Sequence, residues 1–303
     1  MTNTRQRNVS IDGDIYTFDM MMHQVSLLRN TYPCIRQEVI GHSVCGRPIL
    51  ALGLGTGLRK LHANASVHAN EWITTPILLQ FVEELSFAST THCGRYGDIA
   101  PVWLDKNTLW IVPMVNPDGV NLVQQGIEEG SLLERELICW NGGSRDFSRW
   151  KANIRGVDLN DQFPAGWEEE RIRRGQKGPA SKDYGGSAAL TEPEAIALSH
   201  FTIQEQFDAV LSLHTQGKEI YWNYRDCEPP EAEEWAMRLG RVSGYLPVQL
   251  TDSDAGYKDW FIQYFRRPGF TIEAGVGVNP LPVEQFEQMY QDISNLLAEW
   301  LTI

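Results

Sequence analysis

With 303 residues, 42% of them hydrophobic and 21% charged, the chain has the composition of a globular protein rather than a disordered or fibrous one. Its net charge of −13 argues against nucleic acid or anionic lipid as a main partner, while leaving a locally basic site open to small acidic substrates. No apolar run reaches the roughly 18 residues of a membrane span, and no signal-peptide core follows the polar start, so the expected location is the cytoplasm.

Residues 1 to 14 read as a polar lead-in. Phe18, Met21, Met22, Val25 and Leu28 then recur at helical spacing, and Pro33 ends that helix. The run Met20, Met21, Met22 is expected to fill core rather than to bind a partner. Strands follow at 35–40 and 48–54, with Gly41 and Gly46 in the turn between them. Gly53 to Gly57 is glycine-rich, but it lacks the Gly-Lys-Ser/Thr of a phosphate loop and precedes a strand, so it reads as a turn. A strand at 61–67 leads to His68 and a helix over 72–87. A polar loop over 88–106 precedes a strand at 108–113, which ends in the turn-forming string Pro113 to Gly119. A short helix is expected near 132–138, and the charged, glycine-rich stretch 168–187 reads as an exposed loop. Thr191-Glu-Pro-Glu194 predicts a helix start, with Thr191 as the cap and Glu194 closing a capping box. Strands at 208–213 and 219–224, helices at 230–242 and 257–265, a strand at 270–273 and an amphipathic helix at 282–301 complete the chain.

This alternation predicts a single α/β domain with a mixed, mostly parallel twisted sheet and helices on both faces. The five cysteines, at 34, 45, 93, 139 and 227, are odd in number and form no Cys-x-x-Cys. They argue against a disulfide framework, with a Cys34–Cys45 pairing left open.

Open α/β sheets carry their sites at the carboxyl ends of strands. Polar residues gather there in this sequence: His68 and Glu71, Asn116 and Asp118, Asp158 and Asn160, His214 and Glu273. At a strand end and the first helical turn, His68 and Glu71 would point the same way. An imidazole and a carboxylate make two-thirds of a catalytic zinc site, which takes three protein ligands and leaves one position for water. His214, which ends the buried strand Phe207 to Leu213, fits as the third. The bare His-x-x-Glu pair is a weak signal, and each residue alone reads as a satisfied polar strand end. Two His and two Glu at such ends together carry more.

Seven stretches resemble the zinc carboxypeptidase family: His68-Ala-Asn-Glu71-Trp72, Asn116-Pro-Asp-Gly119, Trp150-Lys151, Gly156-Val-Asp-Leu-Asn160, Thr191-Glu-Pro-Glu194, Leu213-His214 and Phe270-Thr-Ile-Glu273. They run in family order over nearly the whole chain. The resemblance implies a carboxypeptidase A-like fold, a catalytic domain over 15–303 and one Zn²⁺ per chain on His68, Glu71 and His214; carboxypeptidase A is itself the standard His₂Glu case. It implies that Asp158 orients the first zinc histidine. It makes Glu273 the catalytic carboxylate, which takes a proton from the attacking water and returns it to the leaving amine. Lys151 falls where the family places a cation for the oxyanion, with Arg155 as a nearby rival.

The sequence also departs from an ordinary carboxypeptidase. Asn160-Asp161 stands where the family has Asn-Arg, the clamp for the substrate's terminal carboxylate. Asn70 stands where Arg is common, Thr251 lies near the place of the substrate-capping Tyr, and the base of the specificity pocket falls at Lys258. Asp158-Leu-Asn-x-x-Phe-Pro-Ala-Gly-Trp167 and Ile272-Glu-Ala-Gly-x-Gly-x-Asn-Pro-Leu-Pro282 resemble one branch, the bacterial γ-D-glutamyl-L-diamino acid peptidases. Peptidoglycan-derived peptides are then the expected partners, with Asn160, Asp161, Lys258 and Asn70 as substrate-binding residues: Asp161 for an amine and Lys258 for a carboxylate. The rival readings are a conventional metallocarboxypeptidase on C-terminal L-amino acids, a related-fold zinc deacylase, and a muropeptide-binding module with a decayed site.

Overall fold

Alternate residues of the central strands go to opposite sides of one sheet and divide the apolar side chains between two cores. In the computed structural model, which describes residues 8–11 and 13–303, the elements in chain order are α1 (Phe18–Thr31), β1 (Arg36–His42), β2 (Pro48–Leu54), β3 (Arg59–Ala65), α2 (Thr74–Thr91), α3 (Ala100–Lys106), β4 (Asn107–Val112), α4 (Pro117–Gln125), α5 (Glu134–Trp140), α6 (Trp167–Arg174), α7 (Pro193–Glu205), β5 (Ala209–His214), β6 (Glu219–Tyr221), α8 (Glu231–Ser243), β7 (Leu246–Val248), α9 (Tyr257–Phe265), β8 (Gly269–Glu273) and α10 (Phe286–Trp300). Most of the expected lead-in, residues 1–7 and Asp12, lies outside the described residues.

The eight strands form one sheet in the order β1-β2-β4-β3-β5-β8-β6-β7. Strands β4, β3, β5 and β8 run parallel; β1 and β2 close one side antiparallel, and β6 returns antiparallel to β8. One face carries Leu50, Leu52, Leu61, Ala63, Leu109, Ile111, Leu211 and Leu213, covered by α1, α2, α8 and α10. The other carries Ile49, Ala51, Trp110, Val112 and Val210, covered by α7 and α9. Helices on both faces and a mixed, mostly parallel sheet are thus present, as the alternation predicts. A third cluster joins α4 and α5 to the segment 147–154 through Leu122, Leu137, Phe147 and Trp150. Among the described residues, no helix is long and apolar enough to cross a membrane. All five cysteines carry free thiols, so Cys34 and Cys45 are not bridged.

Several local expectations are corrected. The string Pro113 to Gly119 turns into a helix start: the Asn116 side chain accepts from the Gly119 N–H (3.1 Å), and Pro117 occupies the first turn of α4. The expected exposed loop at 168–187 contains α6, with Glu168, Glu169 and Glu170 in its first turn and Arg171, Arg173 and Arg174 in its last, matching the helix dipole. The polar loop at 88–106 ends in α3. The capping box at Thr191 does not form; Glu192 is the capping position, and Glu194 instead accepts from the Val44 N–H (3.1 Å) and the Asn153 amide (3.3 Å).

The glycine-rich turn has a steric cause. A Cβ on Gly57 would lie 1.9 Å from the Lys106 carbonyl carbon, and one on Gly53 would lie 2.8 Å from the Trp110 ring. The chain is therefore laid against the α3–β4 junction, with no room for a side chain. Gly57→Ala should destabilise the protein by about 2–4 kcal/mol, because the contact is to backbone that cannot give way. Chemical denaturation followed by tryptophan fluorescence checks this; an unchanged midpoint would show that the junction is not tightly packed.

Candidate metal centre and active site

The parallel register puts the ends of β3, β5 and β8 along one edge of the sheet. Ala65 pairs with Leu213, and His214 pairs with Glu273. His68 follows β3 after Ser66 and Val67, and a single 3₁₀ turn, Ala69–Glu71, brings Glu71 back beside it. That turn is pinned by the Ala69 N–H donating to the Lys151 carbonyl (3.0 Å). Asn116 ties the same loop to its neighbours, donating to the carbonyls of Val67 (3.2 Å) and Ala152 (3.1 Å). The Asn-Pro-Asp-Gly string thus serves as a brace: Asp118 holds Arg47 and the Cys45 N–H, not the metal-type cluster.

Among the described residues, His68, Glu71 and His214 form the one group of His, Cys or acidic side chains arranged to hold a metal ion, with ligand atoms within 4.8 Å of one another. His68 Nδ1 lies 2.9 Å from Glu71 Oε1, His214 Nδ1 lies 2.9 Å from Glu71 Oε2, and the two Nδ1 atoms are 3.0 Å apart. All three residues are buried.

The outward nitrogens decide whether this set suits a metal. Ser212 has one hydroxyl proton and gives it to Asn64 Oδ1 (2.6 Å), so it accepts from His214 Nε2–H (3.2 Å). His214 Nδ1 then keeps a lone pair facing inward. His68 Nε2 faces Asp158 Oδ1 at 3.2 Å, an ionic contact without the alignment of a full hydrogen bond. Two inward imidazole nitrogens and one carboxylate are the donor set of a catalytic zinc site, and their outer partners are of the kind that orient such ligands. The residues fit zinc.

Charge is concentrated here. Burial alone would raise Glu71, but His68 and His214 outweigh it and hold the carboxyl far below the ordinary range. Asp158, fully buried, is likewise held low by Lys151 and His68 against its own desolvation. Burial works against the Lys151 ammonium, yet Asp158 (3.2 Å), Asp161 and Glu71 keep it above the usual lysine range. Glu273 moves the other way: burial, joined by the charges of Glu71 and Glu219, pushes it up to about 7 against His214 and Lys151.

Of the two candidate cations, Lys151 is the one bound into this network. Arg155 is half exposed and pairs with Glu192 at 3.6 Å. The residues expected to bind substrate are arranged differently from the expectation. Asp161, placed for a substrate amine, is met by Arg174 Nε (3.3 Å); burial and Asp158 push it up to about 7. Lys258, placed for a substrate carboxylate, is buried, and its ammonium is taken by the Asn223 carbonyl (2.7 Å) and the Asp259 carboxylate. Asn160 accepts from the Tyr257 N–H (3.3 Å). Asn70 is buried and donates weakly to the Arg149 carbonyl (3.4 Å), while its Oδ1 has no partner.

Three residues of the site went unassigned in the sequence. Asn279 donates to Glu71 Oε1 (3.2 Å) and to the Thr215 carbonyl (2.8 Å), and so links the loop after β8 to the ligand set. Asn64 and Ser212, paired across β3 and β5, orient His214. Ser212 lies two residues before His214 on β5 and Asn64 is its partner on β3, so the period of two could have placed them on the ligand's face.

A family model described as zinc carboxypeptidase matches residues 21–292. The chain is 49% identical over 278 residues to the γ-D-glutamyl-L-diamino acid endopeptidase 1 of Lysinibacillus sphaericus, covering 91% of this chain and 70% of that protein. Among solved structures it is similar to bovine thrombin-activatable fibrinolysis inhibitor (TM-score 0.75, 19% identity, 95% of this chain and 96% of that one). It is also similar to the murein-tripeptide amidase of Escherichia coli O157 (TM-score 0.52, 20% identity, 87% and 92%). These two likenesses carry the carboxypeptidase A-like fold.

If Asp158 orients His68, then Asp158→Asn should weaken zinc binding by about 10–100-fold while leaving the fold intact. Competition with a chromophoric chelator measures this. Unchanged affinity would reduce Asp158 to a partner of Lys151.

Proposed function

From the premise that the chain belongs to the zinc carboxypeptidase family and is a metallopeptidase, we propose that it hydrolyses the bond between γ-D-glutamate and a diamino acid, meso-diaminopimelate or lysine, in peptidoglycan stem peptides. The observation that carries this reading is the 49% identity, over 91% of the chain, to a relative named for that bond.

His68, Glu71 and His214 would hold a zinc ion, whose chemistry when bound would be Lewis-acid polarisation of the scissile carbonyl and acidification of a water. The remaining work falls to the protein. Glu273, partly buried at the end of β8 and pushed up to about 7, is suited both to accept the proton of the attacking water and to return it to the leaving amine nitrogen. Lys151, kept charged by Asp158, provides a fixed positive field for the oxyanion that develops on the carbonyl oxygen. Asp158 serves both partners at once, through Oδ1 to His68 and through Oδ2 to Lys151.

The pairings around Asp161 and Lys258 support a different assignment of the substrate residues. Arg174 neutralises Asp161 and leaves a third of its own side chain exposed, so this pair presents a guanidinium beside the site. We assign it to the carboxylate of the leaving amino acid. Lys258 is committed internally and shapes the interior of the specificity pocket through Asn223 and Asp259.

Mass spectrometry of the zinc-loaded protein on L-Ala-γ-D-Glu-meso-diaminopimelate and on a blocked dipeptide ending in Phe tests the reading. Release of diaminopimelate is expected, with loss of at least about 100-fold in Glu273→Gln and loss on chelation. Release of Phe alone would instead establish a conventional carboxypeptidase.

A further inference from the structure

Glu219, the first residue of β6, pairs across the antiparallel ladder with Glu273, the last residue of β8. Directly opposed residues project to the same face of a sheet. The two carboxylates therefore stand side by side where the proposed proton carrier acts. Tyr221, two residues on and on that same face, donates its hydroxyl to Glu219 Oε2 at 2.5 Å. Burial, the bond to Glu219 and the charges of Glu273 and Glu219 all raise the Tyr221 hydroxyl.

Three aspartates around the site have cationic partners. Asp158 has Lys151, Asp161 has Arg174, and Asp259 has Lys258. Among the described residues, no Lys, Arg or His nitrogen lies within 4.0 Å of the Glu219 carboxylate. Its neighbour Lys218 turns to Asp292 instead (3.0 Å). An acidic group set beside a second acidic group and given no cation by the protein is complementary to a cation brought by the ligand.

We propose that Glu219, held by Tyr221, is the specificity residue for the side-chain ammonium of the leaving diamino acid; this rests on the muropeptidase reading. The geometry selects which part of the substrate it meets. Glu273 hands its proton to the leaving amine, so the leaving residue lies beside Glu273, on the side where Glu219 stands. A diamino acid differs from an ordinary one by a second amine. That ammonium gives Glu219 a charge-assisted hydrogen bond and relieves its repulsion from Glu273. An apolar side chain of the same length leaves Glu219 unpaired, and sites built to bind a polar group reject the analogue lacking it strongly.

The test compares zinc-loaded wild type, Glu219→Gln and Asp161→Asn on two tripeptides, L-Ala-γ-D-Glu-L-Lys and L-Ala-γ-D-Glu-L-norleucine. The wild type should favour the lysyl peptide by about tenfold to a hundredfold in kcat/KM. Glu219→Gln should bring the ratio close to one, mainly by raising KM for the lysyl peptide, while Asp161→Asn keeps it. An equal fall for both peptides would mean that Glu219 only positions or tunes Glu273, and overturns the proposal. So would a ratio that survives Glu219→Gln. Benzoylglycyl-Lys and benzoylglycyl-norleucine, assayed in parallel, separate the two readings. If only these are cleaved, the muropeptide function fails while their ratio still judges Glu219. Calorimetric binding of free L-lysine against L-norleucine gives the same comparison without turnover, and equal binding of both to the wild type overturns the proposal as well.

Discussion

The parallel register of β3, β5 and β8 is the constraint on which the rest depends. Because His214 stands opposite Glu273, and Ala65 opposite Leu213, three strand ends open at one level of the sheet. A one-residue slip of β5 would send His214 to the opposite face and bring Leu213 to the site. The two apolar cores oppose that slip, since each takes alternate residues of the same strands, with Leu211 and Leu213 on one side and Val210 on the other. The packing that holds the fold together therefore also fixes the ligand geometry.

Charge balance is the second constraint. Glu71, Asp158 and Asp161 are all almost fully buried, and Glu273 stands close by, at the end of β8. Isolated carboxylates would not stay ionised there. Lys151, Arg174 and the two histidines offset part of this charge, and the two low carboxyls, Glu71 and Asp158, are those in direct contact with histidine or lysine. Glu273 has no such contact among the described residues, and burial raises it. Two kinds of carboxylate thus coexist within one site, one held low by its cations and one raised by burial. This division of labour arises from which cation each carboxylate touches.

Much of this was legible in the sequence. The strand-end residues His68, His214 and Glu273 are visible because a buried apolar run that stops on a polar residue has few structural reasons to do so. The mixed sheet follows from the alternation of elements. What was hidden depends on contacts between distant segments. Nothing near Asp161 in the sequence announces that Arg174, thirteen residues later on a helix read as loop, will neutralise it. Lys258 likewise reads as a free cation until the fold places Asn223 beside it. The capping box at Thr191 failed for a related reason: Val44 and Asn153 compete for the Glu194 carboxylate and win. Local rules identified the residue types, and tertiary pairing decided which charges remained free.

That distinction bears on how substrate preference changes on one scaffold. Reversing a charge at a clamp, as Asp161 does relative to the family pattern, would leave a buried anion unless another residue answered it. Arg174 answers it from α6, and Asp183 and Glu170 hold that guanidinium in turn. The net effect is a guanidinium supplied from α6, with Asp161 as one of its supports. Glu219 lacks such an answer among the described residues, although it stands next to Glu273 in the ladder. Asp158, Asp161 and Asp259 are answered by cations of the protein, whereas Glu219 is set against a second carboxylate, a placement complementary to a cation brought from outside.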